Sequence, residues 1–495
     1  MGMKFDNYHS EVDSYHAIGE ILIHYDYFDQ LLTFVPPYSA YLFCYNTFIP
    51  SKVIKNASEF REPNSALLVM TRVGSRSMFD SSAFAMSGIV PSVAVQLSVA
   101  SHLLNLPAFR ENKLKRDVLF AFLDMDSYDF LGTQLFAKQL EPPFMSIGIP
   151  VPYSLSSFYA ALEIGLIGRA GKSLNLFSDP ETRKNTSEET NRLVAALNGA
   201  SSGGIKFTQV IDADVLPPIA SVQQLLTPRL STLVNNKSFP LPHLYLADFA
   251  KAPLSDPFLD SFLDTSVSSD PNFNKTMLDL ANTIASFIYN EVAAEGTYTP
   301  ITIHPPSEYV SCFQRPVNDT CPLLSTVLSS FEMDLLRKAE SPISADGATI
   351  IDDAGVKVST KLSAIVPKLL IGLTGTKVPM ADCSTPDESS QYSFEVLETD
   401  NSTQCYRTLV KRMSNYRTTV VEPQWVESTW DKGSQSVTYF RSSSPLVDGL
   451  AFFLGLFVTV STGIAVALFK KYADVGSFSS TTSHSDTGTE LNPHA

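Results

Sequence analysis

Apolar and polar positions trade places along the first two thirds of this 495-residue chain so that strands and helices are predicted in turn. Ala66–Arg72 (ALLVMTR) reads as a strand buried on both faces, and Val93–Leu104 as a helix with an apolar face at helical spacing. Asp117–Asp124 (DVLFAFLD) predicts a second buried strand, followed by a helix from about Thr133 to Leu140. Further strands are predicted at Ala161–Gly168 (ALEIGLIG), Ser173–Phe177, Phe207–Ile211 and Leu244–Ala247. Thr186 and Glu189 have the spacing of a capping box, which would open a helix running to Leu197. A long helix is predicted over Lys275–Val292, whereas residues 1–64 show no clear period. Strands alternating with helices imply an α/β fold with a mainly parallel or mixed sheet, covered by helices on both faces.

One run breaks this pattern. Gly449–Phe469 (GLAFFLGLFVTVSTGIAVALF) has no charge and as a helix would rise about 30 Å, enough to cross the hydrocarbon core of a bilayer. Lys470 and Lys471 follow at once, which places the short tail in the cytoplasm and the bulk of the chain on the lumenal or extracellular side. The expected organisation is an N-terminal remnant (1–64), a large-lobe core (65–300), a membrane-proximal region holding the cysteine pairs (301–445), a transmembrane helix (446–470) and a polar tail (471–495).

Charge and cysteine content narrow the class. A formal net charge of −15 argues against nucleic acid and against wrapping on anionic lipid. Glycosylation sequons at Asn56, Asn185, Asn236, Asn274, Asn318 and Asn401 all precede the apolar run, as a lumenal ectodomain requires. Five cysteines are too few for a disulfide scaffold; Cys312 with Cys321 and Cys383 with Cys405 are candidate local pairs, and Cys44 is left over. The alternative for each is a free buried thiol. The first residues carry no basic stretch followed by an apolar one, so a missing start to the chain is expected.

Candidate chemistry is sparse. Gly199–Gly203 (GASSG) fits the nucleophile-elbow spacing but follows a helix where a strand is needed. No zincin, phosphate-loop or dinucleotide pattern occurs, and the eight histidines are scattered.

The ends of the buried strands are where an α/β fold binds ligands, and here they read RVGSRS (Arg72–Ser77) and LDMDSYDFLGT (Leu123–Thr133). These segments, with ALEIGLIG, resemble the strand-end motifs of the co-catalytic zinc aminopeptidases and their transferrin-receptor relatives. On that resemblance the metal positions are degenerate: Arg72 and Gly74 stand for a histidine and an aspartate, Asp126 and Ser127 for an acidic pair, Gly165 for an aspartate and Asp260 for the last histidine. No Asp or Glu occurs between Ser81 and Arg110, where a bridging aspartate belongs. The resemblance therefore implies no metal, no cofactor and no catalytic residue, since an arginine at a ligand position repels cations.

SRSMF (Ser75–Phe79), SYDFLGT (Ser127–Thr133), LPP (Leu216–Pro218), LYLAD (Leu244–Asp248) and ESTWDK (Glu427–Lys432) are similar to segments of the nicastrin family, with Phe130, Leu131 and Thr133 replacing Tyr, Ile and Ser of its D-Y-I-G-S motif. The resemblance spans about residues 45–470 and implies a non-catalytic glycoprotein subunit of the γ-secretase intramembrane protease, partnered by presenilin and two smaller multi-pass subunits. It implies a type I single-pass protein of the endoplasmic reticulum, Golgi and plasma membrane that helps assembly and screens Notch-type and amyloid-precursor-type membrane stubs. Asp126, Asp129 and Phe130 become the substrate-binding candidates, because a carboxylate can pair with a stub's free ammonium group. The alternatives are a purely steric gate, with Asp126 fixing local structure, an active membrane-anchored zinc ectopeptidase, or an adhesion or uptake receptor on the same fold. The family also carries a signal peptide and an N-terminal lobe, so a truncated form is expected.

Overall fold

The computed structural model describes residues 45–51, 62–75, 85–124, 126, 130–140, 153–169, 171–211, 216–217, 219–226, 240–250, 264–314, 321–338, 362–384, 392–399, 402–414 and 445–478. Its centre is an eight-stranded sheet built from β1 (Tyr45–Pro50), β2 (Ala66–Arg72), β3 (Asp117–Leu123), β4 (Phe158–Ile164), β5 (Ser173–Phe177), β6 (Lys206–Gln209), β7 (His243–Ala247) and β11 (Lys411–Ser414). The strand order is β11-β1-β3-β2-β4-β7-β5-β6. The inner strands β3, β2, β4 and β7 run parallel, β1 and β11 add antiparallel at one edge, and β5 reverses against β7 before pairing parallel with β6. The sheet is thus mixed.

Every residue of β2, β3 and β7 is buried, which means that both faces of the sheet are covered. This is why those strands read as unbroken apolar runs and not as alternations. The helices are α1 (Ile89–Asn105), α2 (Pro107–Arg110), α3 (Leu131–Gln139), α4 (Pro180–Gly199), α5 (Phe273–Val292), α6 (Pro306–Phe313), α7 (Pro322–Ser325), α8 (Ser330–Lys338), α9 (Leu362–Thr374) and α10 (Met380–Ser384). Helix α1 is buried nearly all round and packs on β2, α5 and α6. Two of its polar side chains bond across the fold: Gln96 Nε2 donates to the Ala121 carbonyl at 2.8 Å, and Ser98 Oγ to the His304 carbonyl at 2.8 Å.

Several expectations are corrected. Residues 45–50, read as lacking a period, form β1; Thr47, Phe48 and Ile49 are buried in succession, so no alternation marks the strand. Helix α1 begins at Ile89, with Pro91 accommodated in its first turn, four residues before the predicted start. β4 begins at Phe158 and ends at Ile164, and Gly165–Gly168 are loop. The helix expected to open at Thr186 opens at Pro180, capped by Asp179, whose Oδ2 accepts from Thr182 N at 2.7 Å. Thr186 instead sits at a kink (φ −129°, ψ 24°) and donates back to the Thr182 carbonyl at 2.9 Å. Described residues beyond 300 also form regular elements. These include α6–α10 and an antiparallel sheet of β8 (Thr376–Val378), β9 (Ser393–Thr399) and β10 (Ser402–Thr408) in the order β8-β10-β9. Bridges join Cys312 to Cys321 (Cα–Cα 5.5 Å) and Cys383 to Cys405 (Cα–Cα 5.9 Å). Cys44 lies outside the described residues.

A second compact unit contains α11 (Pro445–Phe478). Its segment Phe452–Lys470 is long and apolar enough to cross a membrane and is wholly exposed.

Candidate functional site

Four parallel strands bring their carboxyl ends to one edge of the sheet, and a buried charged cluster sits there. Arg72 ends β2, Glu163 is the penultimate residue of β4, Asp126 follows β3, and Tyr245 stands in β7. Arg72 is 7% exposed, Asp126 1%, and Glu163 and Tyr245 are buried as completely. The Arg72 guanidinium donates to the Ile219 carbonyl at 3.2 Å and lies over the Phe130 ring, 5.8 Å from its centroid.

Each carboxylate holds a neighbouring segment onto the sheet. Glu163 accepts from Ser221 N at 2.9 Å and Val222 N at 2.8 Å, the free amide groups that open the 3₁₀ turn Ser221–Leu226. Asp126 accepts from Thr133 N at 2.7 Å and from the Thr133 hydroxyl, closing the first turn of α3. Asp264 does the same for α1, accepting from Ser87 N at 2.7 Å and Gly88 N at 3.1 Å. Carboxylates favour helix amino ends because the amide groups there lack partners and the dipole is positive.

The electrostatics follow from burial. Loss of water pushes the Glu163 carboxyl up to about 7, against the pull of the Ser221 and Val222 amide groups and the Arg72 charge. Asp126 is raised for the same reason, opposed by Arg72 and by the Thr133 hydrogen bonds. Burial, reinforced by Glu163, likewise holds the Tyr245 hydroxyl neutral well above its ordinary range. Two carboxylates therefore share one guanidinium in a site without water's screening.

Could this edge hold the zinc pair of an aminopeptidase? Among the described residues the set does not fit. The guanidinium of Arg72 brings a fixed positive charge to the position that the aminopeptidase resemblance gives to a ligand, and both Asp126 oxygens are engaged by Thr133. At Gly165 a Cβ atom would meet the Tyr245 ring at 2.2 Å, so the space for a side chain there is filled by the phenol. Leu166 N donates to that phenol oxygen at 3.4 Å. Gly74 is buried and brings no ligand atom. Among the described residues no group of three or more His, Cys, Asp or Glu side chains is placed to hold a metal ion.

Of the other residues singled out in the sequence, Phe130 belongs to this cluster. Its ring is fully buried and its φ is +53°, a left-handed conformation that costs a bulky residue about 1–3 kcal/mol and persists only where its surroundings enforce it. Here a turn does so: Phe130 N donates to the Asp126 carbonyl at 3.2 Å, and Gln134 N to the Phe130 carbonyl at 2.8 Å. Ser127, Asp129 and Asp260 lie outside the described residues, as do Asn56, Asn236, Asn318 and Asn401. Asn185 and Asn274 are exposed on α4 and α5. Ser201 of the GASSG segment sits in the α4–β6 loop and donates to the Ile205 carbonyl, in no strand-to-helix turn.

Sequence reasoning passed over Glu163, Tyr245 and Asp264. Glu163 had a signal: it is the one charge in ALEIGLIG, and an acid in an otherwise apolar strand must have buried partners.

Residues 65–285 match the family model described as the nicastrin large lobe. The chain is 23% identical to rat nicastrin over 477 residues, covering 86% of this chain and 61% of the relative. Against human nicastrin it is 23% identical over 431 residues, covering 78% of this chain and 56% of the relative. The fold is similar to a crystal structure of the γ-secretase component nicastrin, with a TM-score of 0.55 at 15% identity over 76% of this chain and 62% of that one. The chain thus spans less than two thirds of the length of these relatives.

Proposed function

We propose that this chain, a member of the nicastrin family through its large lobe, is a non-catalytic subunit of a γ-secretase-type membrane protease complex. The observation that carries the reading is the state of the carboxyl edge of the sheet. It keeps the strand ends of a hydrolase-like fold, but Arg72, Thr133 and Tyr245 occupy what a metal pair would need. A lobe of this kind binds and blocks; it does not cleave.

The partners proposed are presenilin, which would supply the aspartyl chemistry, and the two smaller multi-pass subunits of the anterior-pharynx-defective and presenilin-enhancer types. The apolar face of α11 would dock among their spans, and its small residues Gly455, Thr459, Ser461, Thr462 and Gly463 permit close approach. The substrates proposed are Notch-type and amyloid-precursor-type stubs, and the compartments are the endoplasmic reticulum, Golgi and plasma membrane, with glycans at the lumenal sequons.

For substrate selection the geometry favours a steric gate over direct capture. Asp126 is 1% exposed and both its oxygens already accept from Thr133, so burial keeps it from an incoming ammonium group. Affinity purification of the full chain in mild detergent tests the assignment: presenilin co-purifies, and its absence would overturn the reading. The Asp126→Asn variant tests the gate. Cleavage of short stubs per assembled complex stays unchanged, whereas selective loss of that cleavage would restore direct capture.

A further inference from the structure

At the opposite edge of the sheet lies a cavity that the proposed function does not use. Because β1 runs antiparallel to β3 and pairs Pro50 with Leu119, the end of β1 reaches the amino ends of the parallel strands. There a space of about 420 Å³ opens between α2, the end of α9 and the end of β10. That is within the range of small-molecule sites, roughly 300–1,000 Å³.

Its chemistry is one-sided. Ile49, Leu104 and Phe109 give it an apolar floor, while Arg110 and Arg407 bring two guanidinium groups to the same space. Among the described residues no carboxylate lines it, in a chain whose formal net charge is −15. Both arginines are already oriented. Arg110 Nη2 donates to Asn105 Oδ1, and the Arg407 guanidinium lies over the Tyr392 ring, 4.9 Å from its centroid. Neither contact neutralises charge, because an amide and an aromatic face leave the cation its full need for an anion. Nearby acids are spent elsewhere: Glu111 pairs with Lys113 at 2.7 Å, and Glu395 with Arg412 at 2.6 Å. Both arginine side chains are exposed, and an oxyanion in this space would accept from both forks.

We propose that this cavity is a binding site for a small oxyanion, a phosphate or a carboxylate, gripped by Arg110 and Arg407. The site ties α2 of the large lobe to the β8–β10 sheet, so its occupation stabilises the junction between them.

Thermal unfolding of the full chain in detergent tests this, with inorganic phosphate or succinate titrated against chloride at constant ionic strength. The expected result is a midpoint that rises saturably with one or both anions, as binding to the folded state alone requires. Which anion acts at lower concentration then separates phosphate from carboxylate. In the Arg110→Ala/Arg407→Ala double variant the apparent affinity falls at least about tenfold, the loss of roughly one charge-assisted contact. Arg183→Ala, which removes an arginine that bonds the Val210 and Ile211 carbonyls and does not line the cavity, responds like the parent. A non-saturating rise, or one retained in the double variant, would reflect general salt effects and overturn the proposal. Should the double variant fail to fold, Arg407→Lys, which keeps charge but loses the fork, serves in its place and must weaken the response.

Discussion

The two edges of the sheet each bury a glutamate, and they treat it in opposite ways. At the amino edge Glu291, near the end of α5, accepts from Arg192 Nη1 at 2.9 Å and from the Tyr159 hydroxyl at 3.1 Å, with Arg116 Nη1 at 3.8 Å. Arg116 also stacks on the Tyr159 ring at 4.4 Å. One carboxylate thus has two guanidinium groups, and their side chains remain 39% and 48% exposed. At the carboxyl edge two carboxylates, Asp126 and Glu163, share the buried Arg72, and loss of water raises both above the ordinary carboxylate range against its pull. The first arrangement is an ion-pair staple fed by water. In the second, Arg72 supplies the positive charge that both buried acids face.

That reading is most exposed at Arg72 itself. Replacement by methionine keeps the bulk but strands two buried carboxylates, a change that costs about 3–5 kcal/mol when one partner of a buried pair is lost. The thermal midpoint of the Arg72→Met variant should fall by several degrees, at roughly 2–4 °C per kcal/mol for a lobe of this size. An unchanged midpoint would show that the guanidinium is no counter-charge.

Gly165 comes next. A methyl group there must displace the Tyr245 ring, so Gly165→Ala should cost about 1–3 kcal/mol in unfolding experiments. Gly165→Asp restores a carboxylate at the position that the aminopeptidase resemblance gives to a ligand. Metal analysis of that variant should still find no stoichiometric zinc, because Arg72 and the Thr133-bound Asp126 are unchanged. Zinc uptake would show that only one residue separates this edge from a metal centre.

These contrasts also explain what the sequence disclosed. The inner strands were legible because burial on both faces leaves an apolar run with no alternative use, and β2 matches its predicted span residue for residue, as does the partly exposed β5. β1 was not, because its short run of Asn, Thr, Phe, Ile and Pro carries no period. The start of α4 was misplaced because two signals compete there. Asp179 followed by Pro180 opens the helix, while Thr186 and Glu189 mimic a cap about two turns later, where the helix kinks. At the site, the resemblance identified Arg72, Asp126 and Gly165, but no motif could say that Tyr245, distant in sequence, fills the space beside Gly165. Nor could it say that Asp126 is spent on capping α3.

The amino-edge staple should respond more mildly. Glu291→Gln keeps an acceptor for Tyr159 and loses only pairs whose arginines can turn to water, so about 1–2 kcal/mol is expected by denaturant unfolding. Arg192→Ala should cost under about 1 kcal/mol. A loss as large as that of Arg72→Met would erase the distinction between the two edges.

The finest discrimination comes from pH. Glu163 is raised from 4.5 to about 7 in the folded lobe, so the folded state binds more protons than the unfolded one across that interval. Its contribution to stability is therefore present below 4.5 and lost as pH rises through 7. His243 works the other way. It is buried, its Nε2 accepts from Asp179 N at 2.8 Å, and desolvation lowers its affinity for protons, so its contribution is present above 6.5 and lost on acidification. The parent chain should show these two trends partly cancelling between about pH 5 and 7. Glu163→Gln removes only the first. The parent's advantage over this variant should then grow as pH falls from 8 to 5, by at most about 1.4 kcal/mol per pH unit for one proton. A gap that shrinks on acidification would mean that Glu163 is ionised and fully paired in the folded lobe, and that the two edges of the sheet handle charge alike.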